Sequence, residues 1–92
     1  MSDKATWITH EFNVHTSNAN WNDVAGVYIF TGLNQANQWE PLYIGQASSL
    51  AVRLATHERW TEAARLGATH IHAKAVQKQT DRDLIEQELI QA

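Results

Sequence analysis

Two short runs, Gly26 to Thr31 and Pro41 to Gly45, constrain this chain more than any other feature. In an extended chain Val27 and Ile29 point to one side of the first run, and Tyr28 and Phe30 to the other. In the second run Leu42 and Ile44 share a side and Tyr43 points away. Paired antiparallel, the runs bury the four aliphatics together and set both phenols on the opposite face. The connection, Gly32 to Glu40 with Asn34 and Asn37, is too long for a two-residue turn, so it leaves the register open.

The flanking segments read more loosely. Residues 1–25 space apolar anchors (Trp7, Phe12, Val14, Trp21) among polar residues, with a turn cluster at Ser17 to Asn20 and a short strand expected near Thr6 to Thr9. Ser48 or Ser49 caps a predicted helix through Leu50, Leu54 and Trp60 to Leu66, stopped by Gly67. Arg53 and His57 stand four apart on it, at the edge of its apolar stripe. Ala68 to Val76 alternates as a third strand, with His70, His72 and Lys74 on one face. Thr80 is the expected cap of a last helix, with Asp83 completing a capping box and Leu84, Ile85 and Leu89 as its stripe. Glu86 falls just off that stripe.

A chain of 92 residues suffices for one domain, and the lack of cysteine leaves packing alone to hold its core. No apolar run approaches the roughly 18 residues of a membrane span, and the start Met1-Ser2-Asp3-Lys4 is polar, so a cytoplasmic protein without membrane association is expected. The net charge of −3 is unusual for a protein that binds a polyanion. All but one of the cations lie after residue 52, however, as Arg53, Arg59, Arg65, Lys74, Lys78 and Arg82. If they share a face, a local and salt-sensitive positive groove can exist on an acidic protein.

Two phenols near an arginine, a histidine and a carboxylate suit phosphodiester hydrolysis. Each residue alone has a plainer explanation: strand tyrosines pack, helix arginines and glutamates are solvated, and Trp60 belongs to the core. His70 and His72 point the same way and admit a shared transition metal, but no third ligand is evident, and surface residues or phosphate contacts are the simpler reading.

Taken together and in this order, the residues resemble the GIY-YIG nuclease superfamily from Gly26 onward. Gly26-Val27-Tyr28 is similar to its first signature and Tyr43-Ile44-Gly45 to its second. Arg53 follows Tyr43 by ten residues, His57 takes the His or Tyr position one turn on, and Glu86-Gln87-Glu88-Leu89-Ile90 is similar to the segment bearing the metal-binding glutamate. The resemblance implies an α+β fold, a small three-stranded antiparallel sheet flanked by helices. Residues 26–92 would form the nuclease domain and residues 1–25 an N-terminal extension packed on it. It further implies cleavage of DNA, with RNA as a second candidate, using one Mg²⁺ or Mn²⁺ held by Glu86. Glu88 is the rival ligand, about 200° around the helix.

In that reading Tyr43 is the general base on an attacking water, and Arg53 stabilises both the tyrosinate and the transition-state charge, since a free phenol titrates near 10. Tyr28 orients water or phosphate, and His57 holds a phosphate oxygen or relays a proton. Gln46, where relatives carry a lysine or small polar residue, and Lys74 are expected to face substrate. Members of the superfamily generally continue past the metal-binding helix to an asparagine. The sequence here ends at Ala92, so a C-terminal segment or a protein partner is expected to complete the site, or the protein dispenses with it. The alternative is a catalytically inactive module of the same type that binds nucleic acid or a protein.

Overall fold

The computed structural model describes residues 4–91. They form strands β1 (Lys4–Trp7), β2 (His10–Thr16), β3 (Gly26–Leu33), β4 (Trp39–Ala47) and β5 (His70–Ala75), and helices α1 (Leu50–Ala55), α2 (Trp60–Arg65) and α3 (Gln79–Gln91). The strands make one antiparallel sheet in the order β1-β2-β5-β3-β4. A small three-stranded sheet is therefore the wrong description. The expected strands do associate, as β5-β3-β4, but β2 adds along β5 and β1 along β2, and the sheet curls into a half-barrel.

The expected hairpin forms with Phe30 opposite Tyr43 and Ile29 opposite Ile44. Both its strands outrun their predicted ends, which shortens the loop to residues 34–38. There the Asn34 side chain accepts from the N–H groups of Ala36 and Gln38, and Asn37 takes φ 61°. The register slips between Phe30 and Thr31, so Pro41, and not Leu42, pairs with Thr31. Leu42 is thereby turned to the phenol side of the sheet, where it packs beside Tyr43, in place of the expected position beside Ile44. Pro41 is tolerated because β4 is an edge strand.

Each face of the sheet is covered. Tyr28, Phe30, Ile71 and Ala73 pack under α1 and α2 through Leu50, Leu54 and Ala63. Phe12, Val27 and Ile29 pack against Ile85 and Leu89 of α3. The single helix expected from Leu50 to Leu66 is broken. Ser49 caps α1 by accepting from the Val52 N–H, but Thr56 (φ −144°, ψ 97°) leaves the helical region, and a new helix starts at Trp60. Gly67 (φ 108°) does supply the predicted stop. The last helix begins at Gln79, one residue before Thr80. Asp83 makes no capping box there, because its carboxylate bonds the Gln46 side chain.

Candidate active site

Tyr28 is the hub of the phenol face. A Cβ built at Gly45 would stand 2.6 Å from its hydroxyl oxygen, so the glycine of Tyr43-Ile44-Gly45 is the seat on which the Tyr28 ring lies. Gly45→Ala is expected to push the phenol aside and lower stability by about 2 kcal/mol, the usual cost of overpacking. It should also break the contact of Tyr28 with His57, read as a lower urea midpoint and altered ¹⁵N shifts of the imidazole.

His57 reaches Tyr28 because the helix ends at Thr56; on a continuous helix it would have stayed one turn beyond Arg53 on the rim. The Arg59 N–H donates to His57 Nδ1 at 3.0 Å. A neutral ring that accepts at Nδ1 carries its hydrogen on Nε2, so His57 donates to the Tyr28 oxygen across 2.7 Å. The Tyr28 side chain is itself fully buried. Burial, followed by the charge of Arg53, lowers the His57 pKa and favours this neutral form. Burial, with Tyr43 alongside, pushes the Tyr28 pKa up to about 12, against an opposing pull from Arg53. Tyr28 therefore stays protonated at working pH and is not a base.

Tyr43 is half-buried and stacks on Phe30 (5.4 Å, 28°) and Tyr28 (6.3 Å, 21°), while His57 meets it edge-on at 5.1 Å. Its ring is fixed, yet among the described residues its hydroxyl makes no hydrogen bond. Arg53 is near enough to Tyr28 to pull on its pKa, and it grips Glu58 with both terminal nitrogens, at 2.7 and 2.8 Å. That grip pulls the Glu58 pKa down to about 2 and raises that of Arg53. Glu58 is largely exposed and Arg53 partly so, which leaves the pair open to solvent. Glu58 was not among the residues singled out from the sequence; an acid five positions after an arginine carries no distinctive spacing.

Glu86 sits across the β4 edge from this cluster. Its carboxylate accepts from Gln46 Nε2 at 3.2 Å, and Asp83 accepts from the same nitrogen at 2.7 Å. The Gln46 oxygen accepts from Arg82 Nε at 3.2 Å, and buried Arg82 also donates to the carbonyls of Val76 and Gln77. Gln46 is thus a bracket between β4 and α3. It also lines, with Arg53, Ser48 and Ser49, an open cleft of about 500 Å³ at the start of α1. Two carboxylates three apart on one helix, converging on one amide, offer hard oxygen donors beside that cleft. Such donors fit Mg²⁺ or Mn²⁺, which take one or two carboxylates and fill the remaining positions with water. Asp83 was overlooked as a partner to Glu86, although its i, i+3 spacing was legible.

Lys74 stands apart from the tyrosines. Its Nζ reaches the Glu11 carbonyl at 3.5 Å, and it lines a groove with His10, Asp81 and Glu88. The expected positive face is depleted as well, since Arg53 and Arg59 are paired with Glu58 and Glu62, and Arg82 points inward. His72 is not a surface residue; it is fully buried, and its Nδ1 accepts from the Trp7 indole at 2.8 Å. No group of three or more metal-ligating side chains occurs among the described residues. Comparison of the chain with protein-family models, with curated proteins and with solved structures finds no match.

Proposed function

We propose that this chain is a GIY-YIG-type, divalent-metal-dependent endonuclease domain that hydrolyses DNA phosphodiester bonds. The observation that carries this reading is the packing of Tyr28, Tyr43 and His57 together with Arg53 beside Tyr28, and a Tyr43 hydroxyl that makes no hydrogen bond among the described residues. Tyr43 takes the proton of the attacking water. Arg53, once it exchanges Glu58 for phosphate, neutralises the charge that develops on phosphorus oxygens. Tyr28, fully buried, holds neutral His57 in place through its hydroxyl oxygen and backs the Tyr43 ring. Glu86, joined by Asp83, would hold the metal, which when bound would supply charge neutralisation and support of the leaving oxygen.

A second reading keeps this fold as a non-catalytic binding module, and the engagement of Arg53 by Glu58 favours it. Plasmid nicking at low salt with Mg²⁺ or Mn²⁺ separates the two. The parent chain is expected to convert supercoiled to open-circular DNA, and Glu86→Ala to lose at least a hundredfold of that rate. Absence of cleavage on plasmid, branched, nicked and single-stranded DNA would eliminate the nuclease.

A further inference from the structure

Trp7 and Trp39 lie on the two outermost strands of the sheet, yet both touch His72 on the middle strand, at ring-centroid distances of 5.7 and 4.6 Å. The curl of the half-barrel brings its two edges toward each other, and an open groove of about 480 Å³ lies between them. All of β1 lines one wall, and Asn37, Gln38 and Trp39 line the other. The two indoles are not loosely placed. The Trp7 N–H is fixed by His72 Nδ1, and Trp39 is met edge-to-face by both His70 (5.1 Å, 70°) and His72 (82°). Burying an imidazole completely is costly, and among the described residues its Nε2 has no hydrogen-bond partner. Bracing the two half-exposed indoles is what this imidazole accomplishes.

The lining defines the ligand chemistry. Trp7 and Trp39 offer π surfaces, Asn37 and Gln38 offer paired amide donors and acceptors, Thr6 a hydroxyl, and Lys4 a positive charge. Among the described residues no carboxylate lines the groove, although the chain is acidic overall. Glu11 holds Lys4 at 3.2 Å, but both are exposed, and a phosphate can displace such a pair. We infer that this groove, on the side of the sheet away from the tyrosine cluster, is a binding site for an unpaired base of single-stranded nucleic acid, stacked against Trp7 and Trp39 with its phosphate at Lys4.

The inference rests on the nuclease reading for its choice of polymer, and its test needs no cleavage. Octathymidylate is titrated into ¹⁵N-labelled protein in EDTA while the indole N–H signals are followed. Those of Trp7 and Trp39 are expected to shift and those of Trp21 and Trp60 to stay. Trp39→Ala should weaken binding roughly tenfold, and Trp39→Phe, which keeps an aromatic face, should recover most of it. Two results overturn the inference: unmoved Trp7 and Trp39 signals at millimolar oligonucleotide, or equal shifts with a neutral oligosaccharide of the same length. If the parent nicks plasmid while both indoles stay unmoved, the groove assignment fails alone. If both shift as expected without any nicking, the groove assignment stands and the nuclease reading fails.

Discussion

Tyr43→Phe is expected to lower metal-dependent cleavage by between about a hundredfold and ten-thousandfold while leaving the folded state intact, the range associated with loss of a positioned general base. The two halves of this expectation have separate grounds. The ring keeps its stacking on Phe30 and Tyr28, so packing is preserved. The hydroxyl holds nothing in the fold among the described residues, so its removal should change stability by less than about 0.5 kcal/mol. Tyr28→Phe is the instructive contrast, because that hydroxyl accepts from His57 and its loss strands a buried imidazole N–H. Rates from plasmid nicking and midpoints from urea unfolding, measured on the same preparations, check both halves. A Tyr43→Phe protein that cleaves at the parental rate removes Tyr43 from the chemistry.

Acid should destabilise this protein earlier than carboxylate titration would. His72 is fully buried, and desolvation, reinforced by His70 and His15, holds its pKa near 4, against about 6.5 in an unfolded chain. Between those values the unfolded chain binds a proton that the folded one refuses, so stability is complete above about pH 6.5 and drains away as pH falls toward 4. Over the interval from pH 7.5 to 5 the loss from His72 alone is about 2 kcal/mol, a large share of the stability of a small domain. His57 and His15 are shifted in the same direction and add to it. Urea midpoints across that interval should fall steeply in the parent and distinctly less in His72→Leu. Parallel slopes for the two proteins would show that His72 is not the titrating group.

The parts of the fold legible in the sequence were those set by local alternation and local caps. Val27 and Ile29 opposite Tyr28 and Phe30, the Ser49 cap and the Gly67 stop all follow from the spacing of neighbours along the chain. What stayed hidden depends on distant partners. β2 pairs with β5 across more than fifty residues, and its only fully buried side chain is Phe12, so nothing in its pattern announced an inner strand. The break at Thr56 has neither Gly nor Pro to mark it, and the inward turn of His57 goes with a bond to Tyr28, 29 residues earlier. Arg82 looked like one of six surface cations, but carbonyls left at the end of β5 and the Gln46 amide draw it inside. At the site, the sequence named the tyrosines, Arg53, His57 and Glu86 but could not show that Glu86 and the tyrosines lie on opposite sides of the β4 edge, linked by Gln46.

That link is what the proposed mechanism depends on, and paramagnetic relaxation by Mn²⁺ tests it most directly. Added in substoichiometric amounts to ¹⁵N-labelled protein, Mn²⁺ should broaden the signals of Glu86, Asp83, Gln46 and Arg53 first and together, with Tyr43 close behind. The same addition to Glu86→Ala should leave them sharp. Broadening confined to Asp81 and Glu88 at the far groove, or equal broadening in Glu86→Ala, would contradict a metal held by Glu86 beside the cleft that Gln46 and Arg53 line.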